Sequence, residues 1–232
     1  MNAPRLLLLS SSTVHGAGYL DYAEAAIRDF FGPARRIVFV PYALADRAGY
    51  ATRAKSRLDA MGFDCRSIED YPEPAAALDA AEAIFIGGGN TFRLLKALYD
   101  YNLIDAIRRR VQEGMIYMGA SAGSNVACPT IRTTNDMPIV EPPSLRALTL
   151  FPWQINPHYI DADPASTHMG ETREERLLQY LEENETPVIA LREGAMIRME
   201  GGMARLIGTR EARLFRRTHP PEEITPPAEF AL

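Results

Sequence analysis

Cysteine is scarce in this chain of 232 residues: there are two, Cys65 and Cys128, each isolated in an apolar setting. Neither a disulfide framework nor a Cys-x-x-Cys metal site can be drawn from them, and buried free thiols are the expectation. Long apolar runs are missing as well. The N-terminal "MNAPRLLLLSSS" holds four consecutive leucines, too few for the apolar core of a signal peptide. Nothing later approaches the ~18 apolar residues of a membrane span, so a cytoplasmic protein is expected. Massed basic charge is also lacking: 25 Lys and Arg stand against 30 Asp and Glu, a net charge of −5. No electrostatic footprint for nucleic acid or an anionic membrane surface is present, which leaves a small molecule as the expected partner. No internal repeat and no linker divides the chain, and its length suits a single α/β domain over 1–232.

What the chain does have is a regular alternation of short β-like runs with amphipathic stretches. The spacing predicts a strand over 5–10 and a helix over 19–31, closed by Gly32 and Pro33. A strand over 36–42, a helix around 47–61, a strand over 64–68 and a short helix near 74–80 follow. Next come a strand over 83–86, helices over 91–100 and 103–113, and a strand over 115–118. This pattern signifies a mostly parallel sheet flanked by helices on both faces. Five prolines between Pro129 and Pro152 then favour ordered loop and short strand. Beyond them a helix is expected over 171–184, a strand over 187–191, and a C-terminal β-hairpin over 195–208 turning at Gly201 and Gly202. The proline-rich tail, 219–232, is expected to fray.

One strand in this pattern runs into an unusual sequence, "MIYMGASAGSN" (115–125), where Ser121 sits among only glycine and alanine. A nucleophile on a sharp strand-to-helix turn needs small neighbours two positions away on either side, which Gly119 and Gly123 supply. Such a turn lifts the hydroxyl above the carboxyl ends of the strands and aims the Ala122 amide where an oxyanion would form. An ordinary tight turn has the same composition, so partners must decide. The cluster "FIGGGNTFRLL" (85–95) also leaves a strand for a helix and offers further amides to the same crevice. It lacks the lysine and hydroxyl residue of a phosphate loop and the spacing of a dinucleotide fingerprint, which argues against nucleotide binding.

A serine nucleophile needs a base, and histidine, with an unperturbed pKa of about 6.5, is the usual one. There are four. His219 falls in the tail, His15 in a glycine-flanked loop, and His168 beside a helix start, where it is expected to face solvent. His158, in "QINPHYI", follows an apolar approach and Pro157, as a fixed strand-end loop would, and is the candidate.

"FIGGGNTF", "SAGSNVACPTIRTTNDMPIV", "LFPWQINPH" and "GETREER", spread over most of the chain, resemble the peptidase E (α-aspartyl dipeptidase) family of serine peptidases. The resemblance implies a cytoplasmic hydrolase that removes N-terminal aspartate from Asp-Xaa dipeptides, needs no metal or cofactor, and is built on a sheet similar to class I glutamine amidotransferases. It implies Ser121 as nucleophile and His158 as general base. For the third member, Asp136 in "TTNDMP" and Glu193 in "LREGAM" both correspond to family carboxylates, and both stay open; Asp136 would otherwise cap its turn with Asn135 and Pro138. The amides of Gly89 and Ala122 are the implied oxyanion donors. Ala120 and Ser124 depart from the family, which often has a large aromatic and an alanine there; both are expected to lie against the site and to widen its wall.

An α-aspartyl dipeptide carries a carboxylate and an ammonium near the scissile carbonyl. Arg132 and Arg173 are candidates for the former and Glu171 for the latter, with charges at a helix start otherwise forming a solvated face. Asn90, which ends the glycine cluster, completes the substrate-binding candidates. Two other readings remain: a cyanophycinase-like peptidase with an open groove for aspartyl polymer, or a module that holds a small anion without cleaving. A monomer and a homodimer are equally compatible with the sequence.

Overall fold

The computed structural model describes residues 3–167 and 169–231. Its first half is the expected alternation: β1 (Leu6–Leu9), α1 (Glu24–Phe31), β2 (Arg36–Val40), α2 (Arg47–Ala60), β3 (Asp64–Ser67), α3 (Pro74–Asp79), β4 (Ala83–Ile86), α4 (Thr91–Asp100), α5 (Leu103–Gln112), β5 (Ile116–Ala120) and α6 (Ala122–Ala127). The second half holds β6 (Gln154–Asn156), α7 (Arg173–Glu183), β7 (Val188–Leu191), β8 (Ala195–Glu200), β9 (Met203–Gly208), β10 (Ala212–Phe215), β11 (Glu222–Ile224) and β12 (Ala228–Ala231). Five parallel strands, in the order β3-β2-β4-β5-β1, form one side of an eight-stranded sheet, and β8, β9 and β12 extend its β1 edge antiparallel.

The two-residue period of a strand sorts its side chains onto two cores. Leu7, Leu9, Ile37, Phe39, Phe85 and Met118 face α1 and α2, meeting Phe30, Phe31 and Leu58. Leu6, Leu8, Val38, Val40, Ile84 and Tyr117 face α3 to α6, meeting Leu78, Leu94, Ile107 and Val126. All four leucines of β1 are fully buried. At about 1.5–3 kcal/mol for each such side chain, this strand alone commits the sheet to helices on both faces.

Three features differ from expectation. Helix α1 starts at Glu24 rather than near 19, because Leu20 adopts φ 60° and the Asp21 carboxylate takes the Gly18 amide at 2.8 Å, spending the preceding residues on turns. A second sheet, ordered β11-β10-β7-β6, was not foreseen. Its Ile155, Ile189 and Leu214 join the large core, while Val188, Ala190 and Phe215 pack under Leu177 and Leu181 of α7. The tail does not fray: β11 pairs with β10, β12 pairs with β9, and Phe230 stacks on Trp153 with ring centroids 5.3 Å apart. The proline-rich 129–152 segment is ordered loop, returning the amides of Ala147, Leu148 and Thr149 to carbonyls at Pro129, Val126 and Cys128. Both cysteines are buried free thiols, and burial pushes Cys65 up to about 12. Among the described residues no helix is long and apolar enough to cross a membrane.

Candidate active site

The carboxyl ends of β1, β4, β5, β6 and β7 carry the candidate residues. Ser121 follows β5 directly and precedes the first residue of α6, with φ 52° and ψ −110°. A non-glycine residue held there costs about 1–3 kcal/mol and persists only where its surroundings over-determine it. Those surroundings are tight. A Cβ on Gly119 would lie 2.5 Å from the Gly123 carbonyl oxygen, and one on Gly123 only 2.0 Å from that of Ile86. The two glycines are therefore required by backbone crowding, as the sequence pattern suggested. The Ser121 amide donates to the Leu9 carbonyl at 3.0 Å, fastening the bend to β1.

His158 enters from the loop after β6. Its Nε2 stands 2.9 Å from Ser121 Oγ, and its Nδ1 stands 2.8 Å from Glu193 Oε1. Glu193 lies two residues beyond the end of β7. The three side chains thus form one hydrogen-bonded line of hydroxyl, imidazole and carboxylate, an arrangement that can activate a hydroxyl and fix the imidazole tautomer. His158 itself has φ 53°, a second strained residue.

Asp136 is elsewhere. Its Oδ2 accepts from the Thr91 amide at 2.7 Å and the Thr91 hydroxyl at 2.5 Å, at the start of α4. Asn90 is the N-cap of the same helix: its Oδ1 accepts from the Arg93 amide at 3.0 Å and its Nδ2 donates to the Met137 carbonyl at 2.8 Å. Both side chains thereby anchor the glycine cluster. A Cβ on Gly88 would lie 3.0 Å from Ser121 Cβ, so this cluster lies directly against Ser121. The Gly88 amide is held by the Tyr50 hydroxyl at 2.8 Å, whereas the amides of Gly89 and Ala122 have no hydrogen-bond acceptor among the described residues. Gly89, at φ 135°, occupies backbone space that only glycine uses freely.

Arg132, Asn135, Asp136, Arg173, Arg176 and Tyr180 line a neighbouring cleft of about 210 Å³. Arg132 is exposed and its guanidinium has no ion-pair partner among the described residues. Arg173 donates to Asn135 Oδ1 at 2.7 Å; burial and the like charge of Arg176 lower its pKa, against the pull of Asp136. Asn135 also donates to the Pro157 carbonyl at 2.7 Å, so the cleft wall and the loop carrying His158 are one unit. Glu171 does not line this cleft; it accepts from Gln179 at 2.9 Å and pairs with Arg176 at 3.6 Å.

The expectation that Ala120 and Ser124 widen the pocket is not met. Ala120 is fully buried in the core under α1 and α2, and Ser124 Oγ donates to the Leu9 carbonyl at 2.7 Å beneath the bend. Of the other histidines, His15 lines a separate cleft beside Glu193 and His219 stays with Arg217; His168 lies outside the described residues. Tyr50 and Ser10, both in contact with this constellation, carried no local sequence signal. Each is recruited across a long stretch of chain.

Residues 6–207 match peptidase family S51. A Streptomyces coelicolor protein named Peptidase E is 56% identical over 219 residues, covering 94% of this chain and 90% of its own. A Drosophila melanogaster protein named "Probable alpha-aspartyl dipeptidase" is 47% identical over 232 residues, covering 99% and 97%. The crystal structure of a peptidase from an acI-B1 Actinobacterium shares the fold, with a TM-score of 0.74 at 16% identity over 100% of this chain and 98% of that one. With a family match over most of its length and relatives this similar end to end, the chain belongs to peptidase family S51.

Proposed function

We propose that this protein is a serine dipeptidase that cleaves Asp-Xaa dipeptides after an N-terminal α-aspartate, acting in the cytoplasm. The observation that carries the reading is the unbroken line from Ser121 Oγ through His158 to Glu193, at 2.9 and 2.8 Å. In the first step His158 Nε2 takes the Ser121 proton as Oγ bonds to the peptide carbonyl carbon. Glu193 holds the Nδ1–H and balances the imidazolium that forms. The amides of Gly89 and Ala122 donate to the oxyanion, each worth roughly 3–4 kcal/mol in a site of this kind. His158 then passes its proton to the leaving nitrogen as the C–N bond breaks. Water, losing its proton to the same imidazole, hydrolyses the aspartyl ester and returns the hydrogen to Ser121.

The aspartyl specificity is supported by the cleft beside His158, where Arg132 has no ion-pair partner among the described residues and Arg173 stands half-buried. A planar fork of donors matches a side-chain carboxylate, and a neutral isostere would leave it unpaired. The name of the Drosophila relative points to the same substrate. The test is hydrolysis of Asp-Leu against Glu-Leu, Asn-Leu and a β-aspartyl dipeptide, with Arg132→Ala run beside the wild type. Asp-Leu should be preferred by at least ~100-fold in kcat/KM over Asn-Leu, and Arg132→Ala should erase most of that preference. Equal cleavage of Asp-Leu and Asn-Leu would remove the carboxylate clamp while leaving the serine chemistry standing.

A further inference from the structure

The strain at His158 needs a source of restraint, and the surrounding hydrogen bonds identify one. Ser10, the residue after β1, is fully buried, yet its hydroxyl touches nothing of the substrate cleft. It accepts the His158 amide at 2.9 Å and donates to the Leu191 carbonyl at 2.7 Å. Leu191 ends β7, two residues before Glu193, and its carbonyl also takes the Tyr159 amide at 2.9 Å. One hydroxyl therefore ties together the backbone of the base and the strand end from which its carboxylate partner departs. The residue before Ser10 does the equivalent for the nucleophile, since the Leu9 carbonyl receives the amide of Ser121 and the hydroxyl of Ser124. The Ser10 amide in turn donates to the Ala195 carbonyl at 3.1 Å, at the start of β8.

From these contacts we infer that Ser10 is a positioning residue for the hydrolytic reaction: its hydroxyl sets the His158 imidazole at bonding distance from both Ser121 and Glu193. The inference rests on the serine-peptidase reading above. The amides on either side of the His158 α-carbon, its own and that of Tyr159, are fixed to Ser10 and Leu191 respectively, which is what holds a non-glycine residue at φ 53°. Without the hydroxyl, the His158 amide loses its acceptor in a part-buried setting and the residue is free to relax toward negative φ, swinging the ring off the line. Charge, substrate contacts and the nucleophile itself are untouched. The expected loss is consequently in turnover and not in substrate affinity.

The test compares Ser10→Ala, Ser10→Thr and Ser10→Cys with wild type and Ser121→Ala, on Asp-Leu, with thermal midpoints measured in parallel. Ser10→Ala should lower kcat roughly 10- to 100-fold, the scale of a displacement of about 1 Å in a reacting group, with KM within about twofold. Ser10→Thr, which keeps the hydroxyl, should recover most of the rate, and Ser10→Cys, a weaker donor and acceptor, should fall between. If Ser10→Ala does not fold, the order of wild type, threonine and cysteine variants in kcat decides the matter. Variants that lower the thermal midpoint while leaving kcat at the wild-type value would overturn the inference and reduce the hydroxyl to a structural bond. Full activity in Ser121→Ala would instead overturn the peptidase reading, so the two failures are distinct.

Discussion

Replacing Glu193 by glutamine removes one charge from the line of three while preserving its shape. The carboxylate lies 2.8 Å from His158 Nδ1, and the side chains are 39% and 51% exposed for His158 and Glu193. Coulomb's law at that separation gives about 6 kcal/mol at an effective dielectric of 20 and about 1.5 kcal/mol in bulk water, and half-exposed groups fall between. Glutamine retains an oxygen for the Nδ1–H but can also present its amide donor, which selects the unproductive tautomer. A loss of about 2–4 kcal/mol in transition-state stabilisation follows, equivalent to a roughly 30- to 1000-fold fall in kcat on Asp-Leu. The parallel variant Asp136→Asn separates the two carboxylates. Asp136 binds the Thr91 amide and hydroxyl and does not reach the imidazole, so its main direct cost is about 1–3 kcal/mol of stability, or about 2–12 °C in Tm. Proton NMR distinguishes the cases: the low-field His158 Nδ1–H resonance should vanish in Glu193→Gln and survive in Asp136→Asn. Wild-type kcat in Glu193→Gln, with the resonance lost in Asp136→Asn, would refute the assignment.

Gly123→Ala places a methyl group 2.0 Å from the Ile86 carbonyl oxygen; urea denaturation should show a loss of at least about 3 kcal/mol, or no folded protein. Phe230→Ala removes the ring stacked on Trp153, the chain's one tryptophan, so fluorescence should shift to the red and stability fall by about 1–2 kcal/mol. On acidification, Asp161, held below its ordinary 3.8 chiefly by hydrogen bonds from Arg192, and Glu82, held below 4.5 by the Arg36 and Arg35 amides, lose their charge. Because both folded values are depressed, their stabilisation is complete above about pH 5 and is lost as pH falls through the folded values; Tm should be level between pH 5 and 7 on their account and decline below about pH 4.

The parallel half of the fold was legible because β1, β2, β4 and β5 are short apolar runs between amphipathic helices, and because Gly119 and Gly123 mark a bend that only small residues permit. The second sheet was not. β6 and β11 are three residues each, and β11, Glu222–Ile224, reads as charged loop among prolines until it pairs with β10. The same prolines suggested a loose tail, whereas the anchoring ring, Phe230, meets a tryptophan far away in sequence. Ser121 and His158, which the structure places 2.9 Å apart, were legible as candidates from a glycine-flanked serine after an apolar run and a histidine following Pro157. Which carboxylate meets the imidazole depends on where β7 ends relative to β6, a fact of sheet pairing that no window of sequence contains. Ser124 was misjudged for a related reason: its direction is set by the tight bend, which turns the hydroxyl onto β1.

The account depends most on the Ser121 hydroxyl as the attacking group, and turnover of Asp-Leu by Ser121→Ala measures that directly. The prediction is a fall in kcat of roughly 10⁴-fold or more with Tm within a few degrees of wild type. Turnover within tenfold of wild type by a folded Ser121→Ala protein would contradict it.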